Sequence, residues 1–124
     1  MRIENGGRAG DDIRARSFEF GCAAVELHRF VWRNDPPLRD VSRQFLRAAT
    51  SIGANLEEAD AAQSRADFIS KCNIALKEAR ESHYWLRILG RLLKHKELSL
   101  LVTESNELVA ILTSIVRNAR ERKP

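Results

Sequence analysis

This chain is poor in the residues that interrupt or staple small folds. Its 124 residues include three prolines, six glycines and two cysteines, and aromatics make up 6%. So few prolines leave long stretches free to run as helix, because proline removes a backbone donor and clashes inside one. Two cysteines are too few for a disulfide scaffold. Cys22 and Cys72 both fall within helical patterns and read as reduced, buried thiols of a cytoplasmic protein, although spacing alone leaves a pairing open. No run of about 18 apolar residues occurs, which argues against a membrane span. The opening MRIENGGRAGDDIRAR has no apolar centre of the kind a secretory signal carries.

Motifs for chemistry are missing too. A di-iron bundle needs Glu-x-x-His on each of two helices, but the residues three before His28, His83 and His95 are Val25, Arg80 and Leu92. No H-E-x-x-H, paired C-x-x-C or glycine-rich phosphate loop occurs. Ser, His and Asp are present, but nothing around them marks a nucleophile. The expectation is a protein without catalytic residues, metal or cofactor, whose histidines are ordinary surface or edge residues.

What is abundant is Leu, Ala, Arg and Glu, all good helix formers. The length suits one domain with one core. The net charge is +4, and its location says more than its size. Residues 1–16 carry +1, residues 117–124 carry +3, and the stretch between them balances.

Hydrophobic periodicity places four helices. Residues 1–16, with Gly6, Gly7 and Gly10, read as a flexible N-terminal arm. The first helix is expected over about Ser17–Trp32, from the stripe Phe20, Ala24, Leu27 and Val31. Asn34-Asp35-Pro36-Pro37 stops it. The second covers about Pro37–Ala59, with Val41, Phe45, Ala48, Ala49, Ile52, Leu56 and Ala59 on one face. Gly53 in its middle costs roughly 1 kcal/mol against Ala, a cost that the close approach of a neighbouring helix would offset. Ser64 and Asp67 form the S-x-x-D cap of a third helix, about Arg65–Leu93. A fourth spans about Glu97–Arg120. Short turns between four amphipathic helices imply an all-α, up-down-up-down four-helix bundle over residues 17–120, with a basic tail at 121–124.

Two surfaces stand out. On the third helix Ile74, Trp85, Ile88 and Leu92 widen the apolar arc to roughly 200°, more than a surface helix needs. The surplus marks them as oligomer-interface candidates. Beside them Lys77, Arg80, Arg87, Arg91 and Lys94 share one sector with Tyr84. Such a row can neutralise phosphates while the tyrosine stacks on an unpaired base. Arg117, Arg120, Arg122 and Lys123 form a second basic cluster. The alternative is a solvated face, or pairing across subunits with the acidic fourth helix of a neighbour, which carries Glu97, Glu104 and Glu107. Asn55, Glu57, Glu58 and Asn73 are placed to tie the second helix to the third, with Arg47 near the two glutamates.

The wording from Gln44 to Ala75 adds a resemblance. Gln44, Arg47-Ala48-Ala49, Ser51-Ile52, Ala54-Asn55, Glu58, Ser64, Asp67-Phe68 and Asn73-Ile74-Ala75 resemble the four-helix-bundle 23S rRNA intervening-sequence proteins, over roughly residues 17–116. That family is related in fold to the accessory protein of diversity-generating retroelements, which partners a reverse transcriptase and binds nucleic acid. The resemblance implies a ring-like homo-oligomer, commonly a pentamer. It also implies an RNA or DNA partner, and a reverse transcriptase or other protein partner. It supplies no catalytic residues. Where relatives read N-I-A-E-G and then a basic turn, this chain has Asn55-Leu56-Glu57-Glu58-Ala59 and the turn Asp60-Ala61-Ala62-Gln63. An acidic turn moves any polyanion contact away from this segment. The expected function is therefore a non-enzymatic oligomer that binds or organises nucleic acid, RNA foremost. The alternative is a protein-interaction scaffold without nucleic acid.

Overall fold

The computed structural model describes residues 8–122, with side chains from residue 12. Among these residues there are four α-helices and no strand: α1 Arg8–Asn34, α2 Arg39–Asp60, α3 Arg65–Leu92 and α4 Leu98–Glu121. A single 3-10 turn, Pro36–Leu38, precedes α2.

The first helix starts at Arg8 rather than Ser17, so the arm expected at 1–16 is helical from residue 8 onward. The cause is a stripe that extends further back than its large residues show. Ile13 and Ser17 are each 1% exposed and continue the row of Phe20, Ala24, Leu27 and Val31. A single isoleucine among charged residues is a weak periodic signal, yet tertiary packing suffices to order the turns around it.

Polar groups close the helix ends. Asn34 donates to the carbonyl of Phe30 at 2.8 Å, and Arg39 donates through Nε and Nη2 to that of Trp32, at 2.9 and 2.5 Å. Pro36 and Pro37 form the 3-10 turn, so α2 begins two residues after the expected start at Pro37. Ser64 caps α3 as expected, its hydroxyl accepting from the Asp67 amide at 3.0 Å.

The core follows the sequence stripes closely. Phe45, Ala48, Ala49, Ile52, Leu56 and Ala59 from α2 are fully buried. They meet Phe20 from α1, whose ring lies edge-on to Phe45 with centroids 6.1 Å apart. Cys72, Ala75, Ala79, Leu86 and Leu89 from α3 face Leu101, Leu108, Leu112 and Ile115 from α4. Each consecutive pair of helices packs extensively, while α1 and α4 touch more sparingly. By length and composition α4 could cross a membrane, with a mean hydropathy of 1.4, although no unbroken apolar run exists. Its seam of Leu98, Leu101, Ser105, Leu108, Leu112, Ile115 and Val116 is buried within the bundle.

Specific contacts fix the helix pairs. The early part of α1 meets the end of α2 through Arg14, which pairs with Glu57 at 2.5 Å and Asp60 at 3.2 Å. Further along, His28 Nδ1 lies 2.8 Å from the buried Ser42 hydroxyl. The pair α3 and α4 repeats this device with His83 and buried Ser105, at 3.0 Å. Arg65 donates to the Ala119 carbonyl at 3.1 and 2.5 Å, capping the end of α4.

Several polar expectations are corrected here. Arg47 reaches across to Glu78 at 3.3 Å and to Glu81, both on α3, and not to Glu57 or Glu58. Asn55 donates within its own helix to the Ser51 carbonyl and hydroxyl. The α2–α3 tie is thus Arg47 with Glu78 and Glu81, because those carboxylates face α2 and Glu57 faces α1. Cys72 is buried, which pushes its thiol up to about 12, but Cys22 is exposed, contrary to expectation.

Gly53 is also less constrained than expected. A Cβ there would sit 3.6 Å from the Ser17 backbone, an ordinary contact. Gly53→Ala is therefore expected to stabilise the protein by about 1 kcal/mol, from helix propensity and reduced unfolded-state entropy. A lower denaturation midpoint for this variant would show that α1 and α2 approach more tightly.

His28 gives the bundle a pH response. Burial first, and the Arg43 charge second, lower its pKa from the usual 6.5, while the Ser42 contact opposes them. The folded state thus favours the neutral imidazole. Its contribution to stability is complete above about pH 6.5 and is lost as pH falls through the depressed folded value. Thermal melts should show a declining midpoint below that pH, and His28→Gln should flatten the decline.

Candidate nucleic-acid interface

The α3 row is set by helix geometry. Lys77, Arg80, Tyr84, Arg87 and Arg91 alternate three- and four-residue steps, which keeps them on one side of the helix. At 1.5 Å per residue they span about 21 Å, and Lys94 extends the row just past the helix end. All six are exposed. None of the five cations forms an ion pair among the described residues, unlike Arg14, Arg16, Arg29, Arg43 and Arg47. Tyr84 is 53% exposed and its ring meets Trp85 edge-on at 5.2 Å.

The carboxylates of α4 have other work. Arg16 forks onto Glu104 through Nε at 3.0 Å and Nη2 at 2.6 Å, with Glu107 at 3.6 Å. An α1 residue from the expected arm thus pairs with Glu104 and approaches Glu107, two of the carboxylates that the alternative pairs with the α3 row of a neighbouring subunit.

The apolar arc divides. Trp85 is half-buried, packs against the core and donates its indole N–H to Glu81 at 2.9 Å. Ile88 is half-buried, whereas Ile74 and Leu92 remain 37% and 62% exposed. Tyr84, Arg87, Ile88, Arg91 and Leu92 line one shallow recess, so apolar and cationic groups share a surface. A second apolar surface was not legible in the α1 stripe. Phe18, Cys22 and Val25 border a groove of 360 Å³ against Thr50, Gly53 and Ala54 of α2.

The C-terminal cluster is separate from most of this row. Arg117, Arg120 and Arg122 are exposed on and just beyond the last turn of α4. The Arg65–Ala119 contact puts that turn beside the start of α3, whereas Arg87, Arg91 and Lys94 lie toward its other end. Lys123 lies outside the described residues.

Sequence reasoning missed the corner between α1 and α2. Trp32 is 41% exposed, with the Arg39 guanidinium 4.6 Å and that of Arg43 5.6 Å from its ring centroid. The usable signal was a tryptophan just before a Pro-Pro turn that is followed by two arginines four residues apart.

The sequence profile of the 23S rRNA-intervening sequence proteins matches residues 12–114. The chain belongs to that family. The matched region begins within the extended α1, before the expected Ser17 start. Among solved structures, the chain is similar to a protein of unknown function from the S23 ribosomal protein family of Bacteroides thetaiotaomicron VPI-5482. The two are 42% identical with a TM-score of 0.78, over 86% of this chain and 96% of the other. No curated protein matches the sequence. Membership suggests an RNA-related role and assigns no reaction.

Proposed function

We propose that this family member is a non-catalytic, cytoplasmic homo-oligomer that binds or organises nucleic acid, RNA foremost, as the accessory of a protein partner such as a reverse transcriptase. The observation that carries the reading is the α3 row, five exposed cations without an ion-pair partner among the described residues. Each Lys or Arg that meets a phosphate releases condensed counterions, which makes such a row a sequence-tolerant polyanion track. Engagement of Glu104 by Arg16 leaves fewer α4 carboxylates to pair with these cations, which supports the reading.

In this reading the helices run alternately up and down, as the Arg14–Asp60 and His28–Ser42 contacts support. Copies assemble into a ring, a pentamer in the favoured arrangement, using the apolar surface around Ile74 and Leu92. A ring multiplies weak contacts through avidity. The scaffold alternative keeps the assembly and drops the nucleic acid. The test is a salt titration of single-stranded RNA and of DNA, with the mass measured in solution. Binding at about 50 mM salt that weakens steeply as salt rises is the expected result. An oligomer without any binding favours the scaffold, and a monomer overturns the ring.

A further inference from the structure

Net positive charge gathers at one end of the bundle. The ring of Phe30, in the last turns of α1, meets that of His95 in the α3–α4 turn at 4.5 Å. This brings the α1–α2 turn and the α3–α4 turn to the same end. Residues 29–43 contain four arginines against two aspartates, and residues 87–97 contain four Lys or Arg against one glutamate. These two stretches carry +5 together, and the rest of the chain carries −1.

This end also presents an aromatic ring of unusual exposure. Tryptophan is highly buried on average, yet Trp32 is 41% exposed here. Its ring meets that of His28 in a tilted contact, with centroids 5.5 Å apart. Arg39 is fixed against the ring by its two bonds to the Trp32 carbonyl. Arg43 stands farther out, 59% exposed, and is held at 2.8 Å by Asp40, itself 90% exposed. Arg33, the next residue along, is exposed and forms no ion pair among the described residues. Beside it a recess of 540 Å³ opens between α1 and the α3–α4 turn, lined by Arg29, Arg33, Asn34 and His95 and also by Glu26, which pairs with Arg29, and Glu97.

We propose that this end of the bundle docks single-stranded nucleic acid, with an unpaired base stacked on Trp32 and its flanking phosphates neutralised by Arg33 and Arg43. An exposed ring with arginines over it suits an unpaired base, because a base can extend the stack and the cations follow its backbone. A duplex keeps its bases stacked internally and gains nothing from the ring. The surface adjoins the end of the α3 row at Arg91 and Lys94. The proposal rests on the nucleic-acid reading above, and its charge count shares Arg87, Arg91 and Lys94 with the row; the contacts it assigns to Trp32, Arg33 and Arg43 are its own.

Trp32 and Trp85 are the two tryptophans of the chain, so a Trp85→Phe background reports Trp32 fluorescence alone. Titration with a uridine oligonucleotide of about 15 residues should quench that fluorescence in parallel with binding. An RNA duplex of equal length should quench far less. Trp32→Ala should weaken binding of the single strand about tenfold, and Arg33→Glu with Arg43→Glu should weaken it by a similar factor. The charge variant replaces two exposed side chains, so it keeps the test decisive if Trp32→Ala misfolds. Unchanged fluorescence, with both variants binding as wild type, would overturn the proposal while leaving the α3 row in place. Binding lost in the corner variants but kept in Arg87→Glu/Arg91→Glu would support the corner and remove the row. Equal quenching by the duplex would refute single-strand docking. A drop in oligomer mass for Trp32→Ala with RNA binding intact would give the surface to a second copy. No RNA binding by any form would sink both readings.

Discussion

Deleting residues 1–16 is expected to lower the thermal unfolding midpoint by roughly 10–30 °C. Ile13 is 1% exposed and sits at the head of the α1 stripe, and removing a buried isoleucine side chain costs about 2–4 kcal/mol. Arg16 holds Glu104 through two nitrogens at 3.0 and 2.6 Å. Both side chains are about a quarter exposed, so solvent screening limits that pair to about 1 kcal/mol. Arg14 adds contacts to Glu57 and Asp60. A total near 3–5 kcal/mol is a large share of the 5–15 kcal/mol typical of a domain. At this chain length it corresponds to about 3–6 °C per kcal/mol. Ile13→Ala alone should account for most of the loss, and Arg16→Ala for a smaller part. A truncated chain that melts with the full-length protein would restore the flexible arm. Solution mass should be followed in the same samples, because an oligomer adds its own stability.

Arg87→Glu with Arg91→Glu is expected to weaken single-stranded RNA binding about a hundredfold at low salt. For single strands each neutralised phosphate contributes a salt slope of about 0.7. At about 50 mM salt one contact is then worth roughly 0.9 log units, and two are worth about sixtyfold. Like-charge repulsion from the new carboxylates adds to this. The slope of log affinity against log salt should also become shallower by about 1.4. Both side chains are exposed and form no ion pair among the described residues. The variant should therefore fold as the wild type does, which circular dichroism can check. A variant that binds with unchanged affinity and slope would remove the row from the interface. A ring of subunits would enlarge the effect, since avidity compounds a loss made in every copy.

Much of the architecture was legible because helix periodicity is a local property. The buried set of α2 matches its stripe almost residue for residue, and Ser64 caps α3 as its S-x-x-D pattern implied. The start of α1 was not legible. Ile13 and Ser17 are a lone isoleucine and a serine, which carry little hydrophobic signal until another helix covers them. The α3 row was legible as a stripe of charge. Whether its cations were free or paired was not, since that depends on which way the carboxylates of three other helices point.

The same division separates the two candidate surfaces. Lys77 to Lys94 lie along one helix, so their common side follows from spacing alone. Trp32, Arg39 and Arg43 come together across a turn containing two prolines, and His95 joins that end through Phe30. No periodicity within one helix records such a meeting. By itself the sequence determined the four helices, their inward faces and the family signature, because the 3.6-residue period and the capping pattern are written along each segment. Only the tertiary structure decided that Arg16 takes Glu104, that Arg47 takes Glu78 and Glu81, and that the net positive charge gathers at the Trp32 end. Those outcomes depend on how the helices rotate against one another and where the turns place their ends.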